Sequence, residues 1–269
     1  MKANTVIRAV GTLQKMGASK KACEDGCLYD TKLNLFGVID GFGGVGIGDA
    51  AAKEFAEAVK SFYLYANQEK EVTLPFLYRS GLGENVNLLL NASLVANESL
   101  LKKNQSQKSI NQRGGASAAI AKVDNSKLYL SNIGSCSAYL IRNGRSQAII
   151  RPQSYNHYRG VFPGSWSSKW AIPTHAYGLT ADVEPELIEL QVESRDLVVL
   201  STDGVYPHWT ESDLSQAAQQ FLAQVPQGIN EANTHALDKV INQFNERLES
   251  IARDKNGEDD RTLVSIFFI

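Results

Sequence analysis

The sequence predicts an α+β fold carried by antiparallel sheet, and three observations lead to it. Short apolar runs follow one another almost without interruption through the middle of the chain. Helix-forming stretches collect into two groups around them, and Asn143-Gly144 marks a tight hairpin between two of the runs. A doubly wound parallel sheet would need strands and helices to alternate one for one, and these segments do not.

In chain order, KLNLFGVID (residues 32–40) is an apolar run ending in an acid and a glycine cluster, the pattern of a buried strand. From Asp49, DAAAKEFAEAVKSF is rich in helix formers and sets Ala52, Phe55, Ala56 and Val59 on one face. A second helix is expected over about residues 83–101, where Val86, Leu89, Leu90, Leu94 and Ala96 recur at near-helical spacing. The polar stretch 102–113 reads as a solvated loop. GGASAAIAKV, KLYLSNIG, SAYLIRNG and SQAIIR then form a meander of four strands, whose last turn asks for positive φ at Asn143 and Gly144. Residues 152–177 are aromatic, without period, and hold three prolines, so they read as a long surface excursion. ELIELQV and DLVVLSTDG are two more strands, followed by a helix that Thr210 caps, since TESD places an acid three residues after the hydroxyl. A helix over about residues 230–253 and a closing strand, RTLVSIFFI, complete the order. No repeat or linker interrupts it, and the expectation is one domain over residues 1–269.

Composition narrows the function. With 43% apolar and 21% charged residues the chain is that of an ordinary globular protein. Its formal charge of -2 supplies no basic field, so no nucleic-acid partner is expected. Lys2, Arg8, Lys15 and Lys20 are scattered through the first twenty residues without a signal-peptide core, and nowhere do eighteen apolar residues run together. The expectation is a cytoplasmic protein with no membrane partner. Cys23, Cys27 and Cys136 are an odd count in a chain too large to need stapling, which fits reduced thiols. No second Cys/His pair completes a zinc site with Cys23 and Cys27, and the four histidines lack ligand spacing.

Acids mark the strand ends. Glu24 and Asp25 stand just before CLYD, Asp40 and Asp203 each end an apolar strand and precede a glycine, and Asp259 stands just before the last strand. Carboxylates so placed can meet at one rim of a sheet, and an oxygen-rich cluster suits hard cations such as Mg²⁺ or Mn²⁺. A glycine after Asp40 lets its backbone carbonyl approach such an ion closely. Taken singly, each acid is more simply a turn residue; the joint pattern points to a metal centre. GFGGVG (residues 41–46) also fits a dinucleotide fingerprint, but an acid directly before its first glycine would crowd a pyrophosphate, and the elements do not alternate as that fold demands.

Five segments carry a resemblance: VIDGFGG (38–44), GGASAAI (114–120), SNIGSCSAYLIRNG (131–144), LVVLSTDGV (197–205) and EDDRTLVSI (258–266). In order and spacing they resemble the motifs of metal-dependent protein phosphatases of the PPM, or type 2C, family, in its bacterial-like form. The resemblance implies a four-layer α-β-β-α sandwich of two antiparallel sheets flanked by helix pairs, with two Mn²⁺ or Mg²⁺ ions at one edge. It implies hydrolysis of phosphoserine and phosphothreonine on a phosphorylated protein substrate, by a water held between the ions, in a monomer. Asp40 matches the acid that bridges the metals, with the Gly41 carbonyl beside it; Asp203 and Asp259 match the other catalytic acids. Glu24 and Asp25 match the acidic pair of the first motif, and Lys20 stands where a phosphate-binding arginine is usual. Lysine keeps the charge without the bidentate fork.

The chain departs from the family pattern at three further places. Phe42 replaces a histidine proposed to protonate the leaving group, a change common in bacterial members. Ser135 and Pro207 replace acids that hold a third, weaker metal, so two ions are expected. The alternative is a pseudophosphatase that keeps the fold as a binding or regulatory module; retention of Asp40, Asp203 and Asp259 favours the enzyme. Tyr155, Tyr158, Phe162, Trp166 and Trp170 make the 152–177 excursion a candidate flap for the substrate protein.

Overall fold

The computed structural model describes residues 7–43, 46–69, 73–154, 172–226, 234–255 and 257–269. These form two antiparallel sheets. The first runs in the order β1 (Ile7–Lys15), β10 (Arg261–Phe268), β9 (Leu197–Ser201), β6 (Ser137–Arg142), β7 (Arg145–Ile150). The second runs β2 (Asp25–Asp30), β3 (Leu35–Phe42), β4 (Gly115–Asp124), β5 (Lys127–Ile133), β8 (Glu186–Gln191). Helices α1 (Gly48–Ala66) and α2 (Glu84–Gln105) cover the second sheet, α3 (Glu211–Gln224) and α4 (Thr234–Lys255) the first.

Three apolar layers hold this sandwich together. Phe55, Val59 and Leu89 of the first helix pair pack on Leu35, Ile39 and Ile120. Leu214, Phe221, Leu237 and Leu248 of the second pair pack on Leu197, Val199, Leu263 and Phe267. Between the sheets lie Phe36, Val38, Leu130, Leu140, Val198, Leu200, Val264 and Ile266. Burial of each such side chain stabilises by roughly 1.5–3 kcal/mol. With both faces of each sheet covered, Leu197–Leu200 of β9 and Leu263, Val264 and Ile266–Phe268 of β10 are apolar toward one layer or the other, which is why these strands read as nearly continuous runs.

Period-two alternation also decides where the acids go. In β3, Phe36 and Val38 face the gap between the sheets, so Asp40 faces the same gap two residues on, at its rim. In β2, Cys27 packs toward that gap and Asp25 lies two residues before it.

The four strands of the predicted meander form, but they divide between the sheets: β4 pairs with β5 and β6 with β7, while β5 pairs onward with β8 and β6 with β9. The Asn-Gly hairpin forms as the sequence predicts, with Asn143 at φ 52° and Gly144 at φ 73°. Thr210 and Asp213 make the reciprocal capping box at the start of α3. Four boundaries differ. The helix expected to end near residue 101 runs on to Gln105 into the predicted loop, because Asn104 is buried and bonds to Gly114 and Gly178. Residues 32–34 form a turn rather than strand, since Asp30 Oδ1 accepts the backbone N–H groups of Lys32 and Leu33. Asp40 lies inside β3, which continues to Phe42. Strand β1 was not expected at all. The helix start predicted near residue 230 and most of the 152–177 excursion, residues 155–171, lie outside the described residues. The ends of that excursion are anchored by bridges between Ser154 and Pro173 and between Ala116 and Tyr177. Among the described residues no helix is long and apolar enough to cross a membrane.

Candidate metal centre

Asp25, Asp40 and Ser117 are register partners across β2, β3 and β4, so three polar side chains stand in a row at the rim of one sheet. The opposite sheet meets them there. Thr202, just past β9, donates its hydroxyl to Asp25 Oδ2 at 2.8 Å across the gap. The same Thr202 Oγ1 accepts the backbone N–H of Thr262 at 3.0 Å, and Thr202 N donates to Thr262 O at 3.1 Å. These bonds tie the end of β9 to the start of β10 and bring Asp203 and Asp259 to the rim beside Asp40. Asp25 is buried, whereas Asp40, Asp203 and Asp259 are half-buried, so the cluster opens to solvent.

The segment between β1 and β2 closes one side. The buried Asp260 carboxylate accepts Gly17 N at 2.8 Å and Glu24 N at 2.7 Å, while Asp260 N donates to Asp259 Oδ1 at 2.9 Å. Lys20 thereby stands with its Nζ 3.0 Å from Glu24 Oε2, 3.5 Å from Asp259 Oδ1 and 3.9 Å from Asp260 Oδ2. Gly41 is required for the close fit: its N–H donates to Glu24 O at 3.2 Å, and a Cβ there would strike the Gly48 carbonyl oxygen.

Charge at this rim is out of balance. Burial, followed by the Asp259 charge, pushes the Asp40 carboxyl up to about 7. Burial and the charges of Asp40, Asp259 and Asp25 hold Asp203 well above the usual carboxylate range, and burial and Asp40 do the same to Asp25. Asp259 is raised by burial against the opposing pull of Lys20. At Lys20 burial opposes the ammonium, but its hydrogen bond to Glu24 and the charges of Asp259, Glu24 and Asp260 outweigh this, and its pKa is raised. Hard carboxylate oxygens that repel one another, opposed by one lysine, are a donor set suited to divalent cations. Among the described residues no group of three or more His, Cys, Asp or Glu side chains is arranged so that it could hold a metal ion as it stands.

The residues that the sequence proposes for the metal and phosphate site gather at one rim: Lys20, Glu24, Asp25, Asp40, Gly41, Asp203 and Asp259. Three others were missed. Asp260 shapes the Lys20 segment, Thr202 braces Asp25, and Ser117 accepts the hydroxyl of Ser135, whose sequence position shows only the lost acid. The repeated acid in EDDR and the threonine of STDG were the available signals. Cys23, Cys27 and Cys136 are free thiols.

Two family profiles match the sequence, one described as Protein phosphatase 2C over residues 9–158 and one described as Stage II sporulation protein E (SpoIIE) over residues 84–268. No curated protein matches it significantly. The fold is similar to that of the serine/threonine phosphatase PstP/Ppp of Mycobacterium tuberculosis, at 16% identity and TM-score 0.74 over 98% of this chain and 99% of that one. It is also similar to the PPM Ser-Thr phosphatase MsPP of Mycobacterium smegmatis, solved with cacodylate, at 20% identity and TM-score 0.71 over 97% and 98%. A third similar structure is the catalytic domain of PstP in complex with 2 manganese ions, at 17% identity and TM-score 0.72 over 99% of both chains. At these identities the structural likeness is one of fold. With more than half of its length matched by the protein phosphatase 2C profile, the chain belongs to the PPM, or type 2C, family of protein phosphatases.

Proposed function

We propose that this chain hydrolyses phosphoserine or phosphothreonine on other proteins, with Asp40, Asp203, Asp259 and the Gly41 carbonyl holding two Mn²⁺ or Mg²⁺ ions. The observation that carries this reading is the meeting of Asp40, Asp203 and Asp259, each half-buried, at one half-open rim where the two sheets are tied together by Thr202. In support, the PstP catalytic domain of similar fold was solved with 2 manganese ions. Bound among these acids, the ions would supply Lewis-acid charge for the phosphoryl oxygens and an acidified water as nucleophile.

The chain's own side chains set the rest of the chemistry. Asp40 is oriented by Ser135 from the turn that joins the two sheets, and Asp25 is braced from the facing sheet by Thr202. Lys20 stays charged at neutral pH and offers a point charge to the phosphoryl group, while Glu24 and Asp259 hold its Nζ in place. Because those acids already engage its Nζ, it binds phosphate less tightly than a free bidentate arginine would. Phe42 has no proton to give, so the leaving alkoxide takes its proton from water. With Ser135 and Pro207 where acids are usual, the site takes two ions; titration with Mn²⁺ is expected to saturate at two per chain, and a third beside Asp203 would contradict this.

Hydrolysis of p-nitrophenyl phosphate tests the reading. Wild type is expected to need Mn²⁺, and Asp40→Ala to lose at least about a hundredfold, the scale of removing a preorganised charge-stabilising group. Metal-independent or absent turnover in both proteins would sink it.

A further inference from the structure

We infer that Ser135 is the positioning residue for Asp40, and that its neutral hydroxyl sets the affinity of the rim for divalent cations. The inference rests on the metal-dependent reading above. Ser135 Oγ donates to Asp40 Oδ2 at 3.0 Å, and Ser117 Oγ lies 3.1 Å from Ser135 Oγ. A serine hydroxyl has one proton to give. Both bonds run from Ser135, so Asp40 Oδ2 and Ser117 Oγ share its single proton, and Ser117 is a second acceptor rather than a donor toward Asp40.

The arrangement is specified by the backbone around it. Ser117 is the register partner of Asp40 on β4. Ser135 arrives on the turn between β5 and β6, where Gly134 takes φ +94° and a Cβ would run into the Ser117 side chain, so only glycine admits the turn at that depth. Gln153 clamps the same turn from outside. Its side-chain Oε1 accepts Gly134 N at 3.2 Å and its backbone N–H donates to Gly134 O at 2.7 Å. Both serines have no solvent exposure, and a buried hydroxyl is costly unless bonded. Here the bonds converge on the one acid placed to bridge two ions.

The consequence is a division of labour on Asp40. A hydrogen bond to an ionised oxygen is stronger than a neutral one and fixes the plane of the carboxylate. Oδ1 and the remaining lone pair of Oδ2 are then left facing the rim. An acid at 135 would add a fourth repelling charge beside Asp25, Asp40 and Asp203; a serine orients without adding one.

Calorimetric titration of the metal-free protein with Mn²⁺ tests this, on wild type, Ser135→Ala and Ser117→Ala, with unfolding temperatures measured alongside. Removing an orienting partner of a metal ligand weakens affinity by about 10–100-fold, so Ser135→Ala is expected to raise the Kd for Mn²⁺ at least about tenfold, whereas Ser117→Ala, which leaves the Ser135 proton to Asp40 alone, should not raise it. In the p-nitrophenyl phosphate assay the KM for Mn²⁺ should rise with the Kd, while kcat at saturating metal falls less. A merely structural serine would lower the unfolding temperature and leave Mn²⁺ affinity intact; that result overturns the inference while the metal-dependent reading stands. A wild type that takes up no Mn²⁺ overturns both.

Discussion

Asp260 decides where the Lys20 segment lies. Its two carboxylate oxygens are each taken by a backbone N–H, from Gly17 and from Glu24, and it is 2% exposed, so water has no access to replace them. Asp260→Ala leaves two donors without partners. At about 1–3 kcal/mol for each buried unpaired group, the expected loss is about 3 kcal/mol, and Asp260→Asn, which keeps one acceptor, should lose less. Urea unfolding of the three proteins measures it; a loss below about 0.5 kcal/mol for the alanine variant would remove this role, since surface changes lie in that range. Asp40, Asp203 and Asp259 were legible in the sequence because each belongs to a short motif on a recognisable strand. The bond from Thr202 to Asp25 was not, because it joins residues 177 apart and depends on two sheets meeting. Ser135 shows the same limit: the sequence displays the missing acid, and only the packed turn displays what the hydroxyl does instead.

Local chemistry sets most of the element boundaries, and two of them yield measurements. In the capping box of α3, Thr210 Oγ1 accepts Asp213 N at 3.1 Å and Asp213 Oδ2 accepts Thr210 N at 2.9 Å. Thr210→Ala should cost about 1 kcal/mol in unfolding free energy; no measurable cost would mean that packing alone holds the helix start. After β2, Asp30 accepts Lys60 Nζ at 2.8 Å and the N–H groups of Lys32 and Leu33, and the Lys60 hydrogen bond foremost holds its carboxyl below the usual range. Since the folded pKa is the lower one, this stabilisation is full above the unfolded value of about 3.9 and fades as pH falls through the folded value. Lys60→Ala should flatten that part of the acid-unfolding curve, and an unchanged curve would deny Asp30 its role. The elements missed or misjudged are those whose signal is tertiary. Strand β1 buries only Ala9, Gly11 and Leu13 against α4, an alternation too weakly apolar to stand out. The last turn of α2 is polar in sequence and is kept helical by the bonds of Asn104 to Gly114 and Gly178.

Taken whole, the sandwich explains why acids from four separate stretches of chain share one rim. The interlayer core fills the gap between the sheets with Phe36, Val38, Val198, Leu200, Val264 and Ile266, and the strands that carry it end together. Strand alternation turns Asp25, Asp40 and Ser117 toward that gap, and the β9 and β10 connections supply Asp203 and Asp259 from the facing sheet. Antiparallel order was readable from contiguous strand runs and an Asn-Gly turn; the pairing order across each sheet was not, since it joins β1 to β10 and β6 to β9 over long sequence separations. This rim is proposed to hydrolyse phosphoserine and phosphothreonine with divalent metal. Phosphate release from phosphoserine, phosphothreonine and phosphotyrosine peptides, each with Mn²⁺, with Mg²⁺ and with chelator, tests it most directly. Release from the first two peptides, dependent on metal and abolished by chelator, is the predicted result; no release from either with both metals, by a folded protein that binds those ions, would contradict it.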